Sequence, residues 1–442
     1  MWTYHPDLLA IPVPRYTSFP TAAEFAPGVG TGELVTALGG EKGDISLYVH
    51  IPFCEKICWY CGCNTSVANR TDRVASYLDA LHREVALVAE HLPRTARVTR
   101  IALGGGSPNG ISPIDFVRIV DTLTVEFAIR SESSERPVIS IELDPRTLGP
   151  EWAPVIGAVR IERASLGVQT FEPALQKAIG RVQPVRMIQN AAAMLRDAGV
   201  RSLNFDLMYG LPSQTMAHLK SSLEQTVALG ADRVALFGYA HVPHLIPRQR
   251  KIDASALPDA ESRFRMAAFG HEFLLDHGYV PVGFDHFARP GDALAQAALS
   301  GTLRRNFQGF TEDQAPALIG LGASAVSSFA DLLVQNEKNT GRYRMLLSQD
   351  HLAANRGIAR SLDDRRRGAV IEGLLCRARA RIEPDFGAEA LPALQAYFDA
   401  GLCEMDGADL VIAPDGLPYA RSIAARFDPY RRDSLRRFSS AV

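Results

Sequence analysis

The sequence predicts an α/β protein built on a partial parallel (β/α) barrel, followed by a mostly helical C-terminal domain. Two observations carry this. Short β-type runs alternate with helix-length stretches over most of the chain, the pattern of βαβ units. Nearly every run also ends in polar or glycine-rich residues, and a parallel barrel delivers all its strand ends to one face.

The predicted strands are Ile45–Ile51, Val98–Leu103, Val138–Leu143, Arg163–Val168, Ser202–Met208, Arg233–Tyr239 and Tyr279–Phe284. Between the first two, Val74, Leu78, Leu81, Val85, Val88 and Leu92 recur in steps of three and four. Such an apolar stripe suits a helix lying on a sheet. Leu219, Leu223 and Val227 repeat the pattern. The strand endings are Gly104-Gly105-Gly106, Glu142-Leu-Asp144, Gln169, Asp206, Tyr239-Ala-His241 and Asp285-His286. Any one of these reads as a turn or helix cap; six together predict one site. Beyond about residue 290 the alternation fades. Residues 365–382 are basic with a helical pattern, and Gly401 to Gly416 reads as a short hairpin with Asp-Gly turns. The expected division is a Pro-rich arm over 1–40, a barrel over 41–290 and a helical domain over 291–442, winged-helix-like in pattern and read as a lid or packing domain.

Composition narrows the class. The 442 residues hold 47 Lys+Arg against 49 Asp+Glu, a formal charge of -2. That balance gives no electrostatic case for nucleic acid. No apolar run reaches the ~18 residues of a membrane span, and the N-terminus lacks a signal-peptide pattern, so a cytoplasmic protein is expected.

Four of the six cysteines, Cys54, Cys58, Cys61 and Cys63, crowd into ten positions. Close neighbours make poor disulfide partners, and the cluster reads as metal or redox chemistry. Buried thiols, a zinc tetrahedron and an iron–sulfur cluster are the three readings. The spacing favours iron, because Cys54-x3-Cys58-x2-Cys61 sets three thiolates on one tight loop, enough for three corners of a cubane. The fourth iron then has a free coordination position. Cys63 need not be a ligand.

This loop after a strand resembles the radical S-adenosylmethionine (SAM) superfamily, and Gly104-Gly105-Gly106-Ser107-Pro108 fits its glycine strip. Within it the chain resembles the oxygen-independent coproporphyrinogen III oxidases over nearly its whole length. Arg15-Tyr-Thr-Ser-Phe-Pro-Thr21, Leu47-Tyr-Val-His-Ile-Pro-Phe-Cys54, Cys61-Gly-Cys63-Asn64, Gly167-Val-Gln169, Asp206-Leu-Met-Tyr-Gly-Leu-Pro212, Tyr239-Ala-His241, Gln249-Arg-Lys-Ile252, Asp285-His-Phe-Ala-Arg-Pro290 and Arg305-Asn-Phe-Gln-Gly309 carry that resemblance. It implies a [4Fe-4S] cluster on Cys54, Cys58 and Cys61 and two SAM molecules. Tyr48, Gly105, Glu142 and Val326 match positions that hold the cluster-bound SAM. Tyr60, Gly106, Ser107, Gln169, Arg181, Asp206 and Ala240 match positions contacting the second.

The resemblance further implies oxidative decarboxylation of two propionates of coproporphyrinogen III to vinyl groups, giving protoporphyrinogen IX in haem biosynthesis. The radical chemistry is the cofactor's, so no catalytic side chain is assigned. A tetracarboxylate needs cations, and Arg15, Arg248, Arg250, Lys251, Arg289 and Arg305 are the candidates. A flavodoxin- or ferredoxin-type electron donor and a monomeric enzyme are expected. A haem-binding or haem-degrading paralogue and, from another class, a zinc-stabilised interaction module are the alternatives. The chain departs from the family at Arg100-Ile-Ala-Leu103, where an aromatic is usual, and at Ser107-Pro-Asn109, which replaces Thr-Pro-Thr.

Overall fold

The computed structural model describes residues 2–67, 70–129 and 136–431. Six parallel strands form in order: β1 (Asp44–Ile51), β2 (Arg97–Gly105), β3 (Val138–Leu143), β4 (Arg163–Gln169), β5 (Ser202–Tyr209) and β6 (Arg233–Gly238). Each matches an expected run within two residues at either end. Between β1 and β2 lies α1 (Thr71–His91), which buries Leu78, Leu81, Val85 and Val88 on the sheet, while Val74 and Leu92 are half-buried at the ends of the stripe. Between β5 and β6 lies α2 (Met216–Ala228), with Leu219 and Leu223 fully buried. Thr215 caps α2 by accepting from the His218 N–H.

The last expected strand behaves differently. Residues 280–288 form a hairpin of β7 (Val280–Val282) and β8 (His286–Ala288), and β8 runs antiparallel to β6. Asp285-His286 is therefore the turn and first residue of a hairpin, not the end of a parallel strand. The sheet also continues past residue 290, where the sequence places a domain boundary. Strand β9 (Ala317–Leu321) returns to pair parallel with β1, and β10 (Val326–Ser328), β11 (Leu332–Asn336) and β12 (Ala354–Ala359) extend that edge antiparallel. The full order is β12-β11-β10-β9-β1-β2-β3-β4-β5-β6-β8-β7.

No pairing joins β6 to β9 among the described residues, so the barrel is open on one side. The hairpin Arg304–Asn306/Gly309–Thr311 and the two residues after it fill that gap. Glu312 reaches Arg100 on β2 at 2.5 Å, Arg163 on β4, and Arg233 on β6 at 4.0 Å. One carboxylate can touch three alternate strands only if the sheet curls around it. Asp313 adds contacts to Arg100 at 3.3 Å and to the Ser46 hydroxyl. All of these lie at the N-terminal ends of the strands, and they close that end of the barrel.

A second buried carboxylate fixes the other edge. Glu84 of α1, 1% exposed, accepts from the Gly322 N–H, the Tyr343 hydroxyl and the Asn336 amide at 2.6 to 2.7 Å. Burial nevertheless pushes its carboxyl up to about 7. Together with the Tyr77 hydroxyl, which donates to the His50 carbonyl, it ties β9 and β11 to the end of β1.

The C-terminal region holds α3 (Leu362–Arg377) and a three-stranded sheet of Arg379–Arg381, Cys403–Asp406 and Asp409–Ile412. The last two make the expected hairpin. Residues 432–442 of the expected domain lie outside the described residues. The N-terminal stretch is packed rather than loose: the Tyr16 hydroxyl donates to Asp428 at 2.9 Å, and the His5 N–H donates to the Tyr419 hydroxyl at 2.9 Å. It also contains a helix, Thr31–Gly40, within the stretch read as an arm. No helix among the described residues is long and apolar enough to cross a membrane.

Candidate active site

The cysteine loop leaves the C-terminal end of β1. Phe53–Cys54 forms a two-residue parallel ladder with Ser66–Val67, which folds the loop back on itself. Cys58 is buried, Cys54 and Cys61 are half-buried, and Cys63 is exposed. The Cys58 sulfur receives hydrogen bonds from Arg146 and Arg181, each at 3.3 Å. Asp144, at the end of β3, holds both guanidiniums, at 2.6 Å and 3.2 Å. Burial alone would raise its carboxyl, but Arg181 and Arg146 win and hold it below the usual range. A hydrogen bond from Cys63 pulls the Cys61 thiol down to about 6.

This donor set suits an iron–sulfur cluster. Two guanidiniums aimed at one sulfur match a thiolate ligand and part of a cluster's negative charge. Arg146 also keeps a buried nitrogen with no hydrogen-bond partner, an N–H suited to an inorganic sulfide or a bound carboxylate. Among the described residues, no three Cys, His, Asp or Glu side chains converge as a single metal ion needs. A cubane instead takes one thiolate at each corner, so its ligands stand apart.

The glycine strip lies against this loop. Gly106 N–H donates to the Ile51 carbonyl and Ser107 N–H to the Phe53 carbonyl, both at 2.8 Å. A Cβ on Gly106 would stand 2.7 Å from the Phe53 oxygen, and one on Gly105 (φ +113) 2.5 Å from the His50 ring. No side chain fits there. Gly106→Ala is thus expected to displace the backbone before Cys54, costing about 1–3 kcal/mol as overpacking does. Iron and acid-labile sulfide retained after anaerobic reconstitution should fall several-fold, with wild-type retention counting against the close packing.

The departure at Ser107-Pro-Asn109 has a structural role. Asn109, 5% exposed, donates to the Asp144 carbonyl and the Thr147 hydroxyl, each at 2.9 Å, and accepts from the Asp144 N–H at 3.0 Å. It positions the carboxylate that holds both arginines. The Ser107 hydroxyl joins this network and is buried, engaged with Asn109 and the Asp144 N–H rather than open to a cavity. In the other departing segment, Arg100-Ile-Ala-Leu103, Arg100 belongs to the plug around Glu312.

A cavity of about 340 Å³ runs up the barrel from the Glu312 plug to Glu142, Asp206, Phe237 and His286. The Glu142 side chain opens into it and accepts from Gly105 N–H at 3.1 Å, while desolvation by the surrounding wall pushes its carboxyl up to about 7. Asp206 accepts from Ser165 at 2.9 Å and Asn204 at 2.8 Å, and burial raises it as well. Tyr48 meets His50 Nδ1 at 3.2 Å, and His50 Nε2 meets the Asn64 carbonyl at 3.1 Å. Gln169 ends β4 in the left-handed region (φ 65), an uncommon conformation for a non-glycine residue. Arg181 bonds the Gly167 carbonyl beside it. Val326 is buried against Gly320 on the far side of β1. Gln249, 1% exposed, donates to the carbonyls of both Tyr60 and Ala240 and so sets two expected cofactor positions together. The sequence marks its motif but gives it no role.

The candidate cations separate into groups. Arg15, over Phe237 at 5.4 Å, and Arg305, over Phe310 at 4.3 Å, stand at the mouth. Arg248 instead contacts Thr65 at 3.4 Å, Lys251 lies over Trp59 at 5.9 Å, and Arg250 is exposed between them in sequence, so this group borders the cysteine loop. Arg289 is misplaced by the sequence reading. Its N–H bonds the Asp232 carbonyl before β6 and its guanidinium packs on Tyr279 at 4.0 Å, at the opposite end of the barrel.

These features define a SAM-dependent radical enzyme, and residues 48–226 match the family model described as the radical SAM superfamily. The chain is 38% identical over 441 residues to the oxygen-independent coproporphyrinogen III oxidase of Bradyrhizobium diazoefficiens, covering 97% of each. It is 39% identical to that of Paracoccus denitrificans, covering 95% of this chain and 94% of the relative. The solved coproporphyrinogen III oxidase of Escherichia coli, itself a radical SAM enzyme, superposes with a TM-score of 0.89 at 34% identity, covering 97% and 99%. The chain belongs to the oxygen-independent coproporphyrinogen III oxidase family. Membership implies a [4Fe-4S] cluster and SAM.

Proposed function

We propose that this protein decarboxylates two propionate arms of coproporphyrinogen III to vinyl groups, giving protoporphyrinogen IX without oxygen. The observation that carries this is the three-thiolate loop at the end of β1, set beside an open, cation-rimmed barrel mouth. Cys54, Cys58 and Cys61 would hold the cluster, whose chemistry would be one-electron reductive cleavage of SAM. The rest is binding and orientation by this chain. Tyr48, Gly105, Glu142 and Val326 would hold the SAM beside the cluster; the Glu142 carboxylate and the bare Gly105 backbone suit its ammonium and methionine end. Tyr60, Gly106, Gln169, Arg181, Asp206 and Ala240 would border a second SAM, with Ser107 supporting them from behind. Glu142 and Asp206 can accept from hydroxyl or ammonium groups, and Arg181 can pair a carboxylate. Arg15 and Arg305 would face the substrate's propionates.

Arg248, Arg250 and Lys251, with exposed Lys56, make the rim of the cysteine loop basic. That rim supports an acidic flavodoxin- or ferredoxin-type donor. The enzyme would act as a monomer, and the exposed Cys63 suits the reducing cytoplasm. Anaerobic turnover with coproporphyrinogen III, SAM and a strong reductant tests the reading. It should yield the divinyl product and one 5′-deoxyadenosine per vinyl group. Tight haem binding with no vinyl product would favour the paralogue.

A further inference from the structure

A second, smaller cavity of about 50 Å³ opens at the same end of the sheet. It lies where Tyr209, the last residue of β5, and Ala240, just after β6, meet helix Ala260–Asp276, the β7–β8 hairpin and both terminal segments. Three guanidiniums line it: Arg15 from the N-terminal stretch, Arg263 from the helix and Arg421 from the C-terminal region. The sequence reading picked out only the first.

Charge in this cavity is one-sided. Three guanidiniums share one lining carboxylate, Asp285, which bonds His286 Nδ1 at 2.7 Å and also faces Arg421, Arg15 and Arg305. Arg305 stands just behind, its guanidinium 5.2 Å from the ring of Phe284, which Arg421 flanks at 5.4 Å. Burial and the nearby Arg15 pull Arg421 down to about 10, so it still carries its charge at neutral pH. Burial also holds His271, on the same wall, at about 4, leaving it neutral. Arg263 donates to the Tyr239 carbonyl at 2.8 Å, yet its Nε is buried without a partner, as is Nη1 of Arg305. Buried donors left this way cost stability unless an acceptor arrives.

The size selects the ligand. A water needs roughly 10–15 Å³ of such space, so this cavity admits a few waters or one carboxylate, and no pyrrole ring. Aromatic walls of Trp2, Phe284 and Phe287 exclude bulk water and strengthen any ion pair inside.

We propose that this cavity is a carboxylate subsite in which Arg421, with Arg263 and Arg15, grips one propionate of the substrate while another reacts. The proposal rests on the coproporphyrinogen reading of the site. Because Ala240 borders both this cavity and the expected second SAM, a propionate anchored here keeps the macrocycle beside the cofactors. Arg421 is then a residue of substrate recognition supplied by the C-terminal region, which gives that region a part in the active site.

The test is a fluorescence titration of the anaerobically reconstituted protein with coproporphyrin III, the oxidised tetracarboxylate, and with its tetramethyl ester. Arg421→Ala is expected to weaken tetra-acid binding about tenfold, the loss of one charge-assisted contact. Arg421→Lys should recover part of it as a point charge without the fork. Ester binding should be the same in all three proteins. Should Arg421→Ala fail to fold, Arg421→Gln and Arg263→Gln keep the side-chain bulk and read the same quantity. Unchanged tetra-acid affinity in a folded variant overturns the subsite, as does an equal loss for acid and ester, which would mark a packing role. Wild-type turnover with unaltered variant affinity sinks the subsite alone. A wild-type protein that neither binds the porphyrin nor forms vinyl product sinks the proposed function, and the subsite with it.

Discussion

Replacing Cys58 with serine is expected to abolish both cluster assembly and SAM cleavage. Of the three loop thiols, Cys58 is the one that is buried, and its sulfur sits between two guanidiniums that share a single carboxylate. Serine keeps the shape but not the chemistry. Its hydroxyl stays protonated at neutral pH and is a poor match for iron that thiolates bind well. The guanidiniums would then face a neutral oxygen in a site built for a thiolate. Loss of one of only three protein corners should leave no labile sulfide, no visible cluster absorbance and no 5′-deoxyadenosine. Cys63→Ser makes the contrast, because Cys63 is exposed and needs only to donate to Cys61. That variant should keep its cluster with a weakened Cys61 thiolate. SAM cleavage by Cys58→Ser would remove Cys58 from the ligand set.

The contrast between what the sequence reveals and what it hides follows from the range of the interactions. The six parallel strands were legible because each is a short β-type run set between helix-length stretches, closed by residues that look wasteful for packing. The cysteine loop was legible because its thiols are neighbours in sequence. Strand β9 was not, since Ala317–Leu321 has no preceding helix of barrel type and finds its partner, β1, at the other end of the domain. Asp285-His286 misled for a related reason: a polar pair after an apolar run marks a hairpin turn as well as a strand end. Cations were the hardest to place. Arg289 and Arg15 look alike in sequence, yet one packs at the closed end of the barrel and the other at its mouth. Asn109 stands in sequence only as a departure from Thr-Pro-Thr, yet it supports the carboxylate behind Cys58. Arg100 lies in a segment where an aromatic is usual, and its purpose becomes visible only beside Glu312, a loop residue that by itself reads as a solvated charge.

That plug carries the second large effect. Glu312→Ala is expected to destabilise the fold by about 3 kcal/mol, because it removes the carboxylate but leaves Arg100, Arg163 and Arg233 inside the barrel. The three do not suffer equally. Arg100 keeps Asp313 at 3.3 Å and Arg233 keeps Asp292 at 2.7 Å. Arg163 has no other ion pair among the described residues, so most of the cost falls there. The proton equilibrium gives an independent figure. Burial would raise the Glu312 carboxyl, but Arg163, Arg233 and Arg100 hold it down at about 2, against an ordinary 4.5. That difference corresponds to about 3 kcal/mol favouring the ionised form in the fold. The side chain is only 9% exposed, so solvent screening takes little from it. The sign is that of a depressed acid. The stabilisation is complete above the unfolded value near 4.5 and is lost as pH falls toward 2. Denaturant unfolding of wild type and variant should therefore differ by the full amount at pH 7, and the two curves should converge between pH 4.5 and 2. Glu312→Gln keeps the volume and one acceptor, and should lie between them. A gap that stays constant down to pH 2 would mean that Glu312 fills space at the closed end without balancing the arginines.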